Sequence, residues 1–243
     1  MSVDGINNNE NTSDSQKTLS FIQTNLKKSF LAGVELNKRL SNYGQYAVLL
    51  TEPYRYNNKF CLKPTGSNVF MPGGSSSRAA IITDRRTELI KIERLSNADC
   101  AVAIIKIEGK KIVLASVYLD INKEVVQPWL PRILEFVNKK KYGLIIGMDS
   151  NSHSHLYGSE SNKRGEVLEQ FISEKFLMVE NVGKVPTFQT LRGLRRINTC
   201  IDVTLSLGVV GMIRNWHVDQ EYNASDHNTI LFETGQPLSL IHI

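Results

Sequence analysis

Leu144-Ile145-Ile146-Gly147-Met148-Asp149-Ser150-Asn151 is the stretch on which the fold turns. Its opening, Leu144 to Ile146, is an uninterrupted apolar run, which predicts a buried strand. Gly147 then loosens the backbone, and Asp149 and Asn151 follow at a spacing of two. Residues two apart in an extended segment point the same way. A carboxylate and an amide therefore leave the end of a core strand side by side. Such rigid junctions between strand and loop are where chemistry is usually placed. The same residues would also make an ordinary Asx-rich turn. The balance shifts because Ser225-Asp226-His227 lies far downstream and polar residues close several other strands.

The whole chain sets bounds on what this strand can belong to. Its 243 residues suit one large domain or two small ones and can bury a sizeable core. A hydrophobic fraction of 41% and a charged fraction of 22% are those of a globular protein. No apolar run reaches the length of a membrane span, so no membrane partner is expected. The first residues lack the basic and apolar regions of a signal peptide. Cys61, Cys100 and Cys200 are odd in number and widely spaced, which fits a reducing, intracellular setting and excludes a CxxC zinc pattern. The net charge of +5 and pI near 9.0 favour a polyanionic partner only mildly.

Residues 1–17 are rich in Asn, Ser, Asp and Thr and are expected to form a disordered leader. Residues 18–235 form the folded domain. Residues 236–243 carry no turn or cap logic and read as a cut through a longer polyprotein or a cloning scar. Strands are predicted at Leu19 to Thr24, Gln45 to Thr51, Ala79 to Thr83, Cys100 to Ile107, Ile112 to Leu119, Leu144 to Met148, Thr187 to Leu191, Ile197 to Leu205, Ile213 to Val218 and Thr229 to Phe232. Helices are predicted at Leu26 to Leu40, Trp129 to Val137 and Gly165 to Phe176, and Pro64 to Arg78 reads as loop. Many strands with irregularly interspersed helices predict an α/β sandwich.

Asn25, Glu52, Tyr118, Asp149 with Asn151, Asp202, and Asp226 with His227 stand at strand ends. An acidic cluster with one histidine and two amides suits metal-assisted phosphoester hydrolysis. A hard divalent cation takes oxygen ligands and needs no cysteine. It would neutralise charge that builds on the phosphoryl oxygens.

At these residues the chain resembles the endonuclease/exonuclease/phosphatase superfamily, and within it the endonuclease domains of site-specific non-LTR retrotransposons. The motifs are Gln23-Thr24-Asn25-Leu26-Lys27-Lys28-Ser29, Thr51-Glu52-Pro53-Tyr54, Ser116-Val117-Tyr118, Gly147 to Ser154, Arg164-Gly165 with Leu168, Ile201 to Leu205, and Ser225-Asp226-His227. The resemblance covers roughly residues 19–233. It implies a four-layer α/β sandwich of two packed, mostly antiparallel sheets flanked by helices. It also implies an enzyme that nicks double-stranded DNA with Mg2+, or Mn2+ in its place, in the nucleus. The 3′-hydroxyl left behind would prime a reverse transcriptase domain of the same polyprotein. The resemblance makes Glu52, Asn25 and Asp226 metal-site residues. Asp149, Asn151, Asp202, His227 and Tyr118 become catalytic residues, with Asp202 orienting the His227 ring.

There are departures. Lys27 stands where repair-type relatives carry an acid or amide, and Tyr118 lacks the proline that commonly follows two residues later. Arg192, Arg195 and Arg196 form a basic turn before Asp202 and are expected to contact the DNA groove, and His153 and Ser154, on the loop beside the site, are expected to bind DNA as well. Lys139-Lys140-Lys141 reads as a solvated helix end. Two other readings are a small-ester phosphatase of the same fold and a DNA-targeting module whose site has decayed.

Overall fold

The computed structural model describes residues 18–57, 59–60 and 62–235. The leader and tail readings, and Cys61, lie outside the described residues.

The strand that opened the sequence reading is β8 (Gly143–Asp149), buried at every position. It sits inside a six-stranded sheet with β5 (Ile90–Lys91), β6 (Cys100–Ile107), β7 (Lys110–Tyr118), β12 (Asp202–Leu207) and β9 (Met178–Val179), in the order β5-β6-β7-β8-β12-β9. A second six-stranded sheet holds β1 (Leu19–Asn25), β2 (Tyr46–Thr51), β3 (Asn68–Phe70), β4 (Ala79–Thr83), β13 (Ile213–Asp219) and β14 (Thr229–Thr234), in the order β13-β14-β1-β2-β4-β3. β1–β2 and β7–β8 pair in parallel; the other pairs are antiparallel.

The sheets pack face to face. Phe21, Leu49 and Ile81 of one meet Ala103, Leu114 and Ile145 of the other, and Phe21 stacks on Phe232 at 4.8 Å. Gly147 permits close approach, because a Cβ there would lie 2.8 Å from the Leu49 Cβ. Helix α1 (Phe30–Leu40) covers the outer face of the second sheet through Leu36 and Leu40. Helices α2 (Trp129–Lys140) and α3 (Lys163–Glu174) cover the outer face of the first through Leu130, Ile133, Leu168 and Phe171. The result is the expected four-layer sandwich. Together Phe21, Leu49, Leu114 and Ile145 bury several apolar side chains, each contributing about 1.5–3 kcal/mol.

Three expectations needed correction. Helix α1 starts at Phe30, not Leu26, because the Asn25 side chain captures Lys27 N at 2.7 Å and both Lys27 and Lys28 take positive φ. Ser29 then caps the helix by accepting from Ala32 N. The loop Pro64 to Arg78 contains β3, an edge strand paired with β4. The single strand read over Ile197 to Leu205 is two. Among the described residues β11 (Arg195–Thr199) pairs only with β10 (Phe188–Arg192) as a separate hairpin, and β12 joins β8. The chain breaks between them because Ile201 N and Asp202 N both donate to the buried Thr187 hydroxyl, at 3.1 and 3.0 Å.

Candidate active site

Parallel pairing of β1 with β2 and of β7 with β8 brings four strands to their C-terminal ends on one edge of the sandwich. Asn25 ends β1, Glu52 follows β2, Tyr118 ends β7 and Asp149 ends β8. The antiparallel β12 begins at the same edge, with Asp202 directly opposite Asp149 in register. His227 precedes β14 and forms an isolated bridge with Phe188.

At this edge the side chains meet. His227 Nδ1 lies 2.8 Å from Asp202 Oδ2, with both residues buried. One oxygen from each of Asp149 and Asp202 and a His227 ring nitrogen lie within 4.8 Å of one another. Asn25 Nδ2 donates to Asp149 Oδ2 at 2.8 Å and reaches Glu52 Oε2 at 3.4 Å. Asn151, held at φ +45, gives its backbone N–H to Asp149 Oδ1 and its amide to Leu119 O. The strained backbone at Glu52, φ +45, is held by its N–H on Arg78 O at 2.8 Å.

Burial and crowding set the protonation states. Burial, and then the Asp202 charge, push the Asp149 carboxyl well up from the usual carboxylate range. Burial would depress the His227 imidazole, but the charges of Asp202, Asp149 and Asp226 and the bond to Asp202 outweigh it and raise it to about 9. The Tyr118 hydroxyl is pushed up to about 12 by burial and by the Glu52 and Asp149 charges. Such opposed, strongly perturbed groups in one place mark a functional site.

The endonuclease domain of TRAS1, a telomere-specific non-LTR retrotransposon, is similar in structure, with a TM-score of 0.78 at 30% identity, covering 89% of this chain and 98% of that one. This chain belongs to the endonuclease domains of non-LTR retrotransposons. Residues 112–231 match a family model described as endonuclease-reverse transcriptase. The putative 115 kDa protein in type-1 retrotransposable element R1DM of Drosophila melanogaster is 28% identical over 226 residues, covering 87% of this chain. The chain spans only 21% of that relative. An AP endonuclease of Leishmania major shares the fold, with a TM-score of 0.64 at 10% identity, over 90% of this chain and 88% of that one.

In this retrotransposon endonuclease the structure gathers Asn25, Glu52, Tyr118, Asp149, Asn151, Asp202 and His227 at one edge. Asp226 stands beside them, near enough for its charge to raise His227. It meets Lys27 Nζ at 2.5 Å and shares no hydrogen bond with Glu52 or Asn25 among the described residues; its Oδ1 is buried without a partner. Asn25 keeps Oδ1 on Lys27 N and turns its nitrogen to the carboxylates, so it orders them. Arg192 and Arg195 face each other at the exposed tip of the β10–β11 hairpin, around Gly193 and the fully exposed Leu194. Arg196 donates to Gln189. Phe188 of that hairpin packs edge-on to His227 at 5.0 Å, so the hairpin base touches the site. His153 is half-buried, and burial lowers its imidazole.

Ser154, expected at the DNA surface, is instead fully buried. Its hydroxyl donates to Glu169 and caps the next turn by accepting from Leu156 N. It builds the loop and has no atom left to face DNA.

Two arginines were missed as supports. Arg78 stacks over the Tyr118 ring at 4.5 Å and is locked by Asp99 and Asp120 at 2.6–2.7 Å. Arg164 donates to the carbonyls of Ser150, Leu119, Asp120 and Lys123, tying the loop after β8 to the loop after β7. The Arg164-Gly165 motif was visible, but carbonyl partners leave no trace in side-chain pattern.

Proposed function

We propose that the chain is a divalent-metal-dependent endonuclease that nicks one strand of a DNA duplex and leaves a 3′-hydroxyl. The observation that carries this is the meeting of the Asp202–His227 pair, Asp149 and the Asn25–Glu52 pair at one sheet edge. The donor set fits Mg2+: it offers convergent carboxylate oxygens and no sulfur. Glu52 would hold the ion. When bound, the cation supplies charge neutralisation on the phosphoryl oxygens.

The residues do the rest. At neutral pH His227 is an imidazolium, with Nδ1–H on Asp202, so its other N–H donates to a phosphoryl oxygen. Tyr118 keeps its proton and donates it in a second hydrogen bond. Asp149, whose carboxyl is raised, accepts in its ionised form the proton of the attacking water as that oxygen bonds phosphorus, and Asn151 N–H holds the carboxylate in line; the P–O3′ bond breaks and the departing 3′ oxygen takes its proton from solvent. The arginine tip of the hairpin follows phosphates or enters a narrow minor groove and positions the nick. The liberated 3′-hydroxyl would prime a reverse transcriptase domain of the same polyprotein, in the nucleus. The family description and the 21% span of the R1DM relative support that partner.

Supercoiled plasmid is the test. The wild-type protein should nick it only with Mg2+ or Mn2+, and His227→Ala should lose on the order of 10²–10³ in rate. Release of phosphate from small esters without nicking would make the chain a phosphatase. Duplex binding without cleavage would make it a targeting module. The triple variant R192A/R195A/R196A should lower the salt slope of duplex binding by about one per lost phosphate contact and blur the nick position.

A further inference from the structure

The end of the sandwich opposite the active edge carries a second basic site. Lys111 sits seven residues before Tyr118 on β7, so it lies roughly 23 Å from the catalytic end of that strand. There, Arg94 and Leu95 of the short turn after β5 face α2 across a cavity of about 380 Å3. From α2 the cavity is lined by Arg132, Phe136, Lys139 and Lys140, which share one helix face, together with Glu135. All four cations are exposed, and none makes an ion pair among the described residues. Lys139 and Lys140, from the run that reads in sequence as a solvated helix end, thus converge with Arg132 of the same helix and Arg94 of another element.

A ladder of rings and cations holds this wall in place. The Arg94 guanidinium lies over the Phe136 ring at 5.2 Å. Phe136 meets Tyr142 edge-on at 6.2 Å, and Lys111 Nζ caps the Tyr142 ring at 5.4 Å while donating to its hydroxyl at 3.3 Å. The guanidinium is thereby held against the ring at the exposed wall of the cavity.

We propose that this cavity binds single-stranded RNA. Unpaired cations in a concave wall track a sugar–phosphate backbone, and an exposed guanidinium offers a stacking plane for a base. Only a flexible strand can follow a concavity of this size, because a duplex is stiff over about 150 base pairs. A straight duplex engaged at the active edge stays at the other end of the strands. Glu135 distinguishes the sugar. An acceptor set among cations is unfavourable to phosphate but accepts a hydrogen bond from a ribose 2′-hydroxyl, which DNA lacks. The site is independent of the nicking chemistry, and its test does not depend on it.

The experiment measures anisotropy of a labelled 15-nucleotide RNA, the same sequence as single-stranded DNA, and a duplex, across a salt series. RNA should bind several-fold more tightly than single-stranded DNA. R94A/R132A/K139A/K140A should weaken RNA binding tenfold or more and flatten the log–log salt slope by about 2.8, from 0.7 for each of four contacts. Its plasmid nicking should match wild type, and its thermal melt should stay cooperative, lowered only by the loss of the Arg94–Phe136 contact. Glu135→Ala should close the gap between RNA and single-stranded DNA. Unchanged RNA affinity and slope in the quadruple variant overturn the site. Loss of RNA binding in R192A/R195A/R196A instead would place the RNA on the hairpin and also overturn it. Equal RNA and DNA affinities in the wild-type protein overturn the assignment to RNA.

Discussion

Replacing Arg164 with Met removes a guanidinium but keeps an unbranched stem of similar reach. Arg164 donates to four main-chain carbonyls: Lys123 O at short range, Asp120 O at 2.9 Å, and Ser150 O and Leu119 O at 3.4 and 3.5 Å. A hydrogen bond with one charged partner contributes about 1.5–3 kcal/mol. Counting only the two shorter bonds, at the low end because the side chain is half-exposed, Arg164→Met should cost about 3 kcal/mol. Arg164→Lys, with one ammonium in place of the fork, should recover roughly half of that. The function should suffer as well. Leu119 O is shared between Arg164 and the Asn151 amide, and the loop it belongs to begins at Tyr118. Letting that loop move by about 1 Å should slow nicking on the order of 10²-fold. Urea unfolding gives the stability change, and plasmid nicking under conditions where the variant is fully folded gives the rate. A loss below about 1 kcal/mol with nicking within a few-fold of wild type would refute the clamp.

Gly165→Ala should destabilise by about 3 kcal/mol or abolish folding, because the new Cβ would lie 1.6 Å from the His153 carbonyl oxygen, a backbone atom that no rotamer can clear; a wild-type melting curve would contradict the packing. Asp84 is buried, which alone would raise its carboxyl, but bonds from Thr87, the Arg86 and Tyr46 N–H groups and the Arg86 side chain hold it below its ordinary value. A lowered folded pKa stabilises above the unfolded value of 3.8 and is lost as pH falls through the folded one. The stability gap between wild type and Asp84→Asn, roughly 1–3 kcal/mol near pH 6, should therefore close below pH 3.8, and a gap independent of pH would contradict the carboxylate's role. Glu52→Gln removes the charge of the proposed ligand, so nicking should require more Mg2+ or vanish; an unchanged Mg2+ titration would leave Glu52 as only the end of its strand.

By itself, the chain's pattern of apolar residues determined where β1, β2, β4, β6, β7, β8 and β14 run and that polar groups stand at their ends. That information is local: a side-chain period of two and an abrupt change to Asp or Asn are written along the chain. The candidate residues Asn25, Glu52, Asp149 and His227 were legible in this way, because each stands at or beside a strand end, whereas Asp202 fell inside the strand read over Ile197 to Leu205 and was marked by its motif alone. Which of them touch was decided only in three dimensions. Asp202 and Asp149 are opposite because β12 pairs with β8 in one register, and a slip of one residue would point them to opposite faces. The break between β11 and β12 left no mark in the alternating pattern of Ile197 to Leu205, since the Thr187 hydroxyl that bends the chain comes from the segment before β10. Ser154 turned inward to Glu169, Asp226 turned to Lys27, and Arg164 found carbonyls rather than side chains. Arg94 met Lys139 and Lys140 only because α2 packs beside the turn after β5. Partners far apart in the chain are chosen by sheet register and layer packing, and neither is encoded in the local period of a sequence.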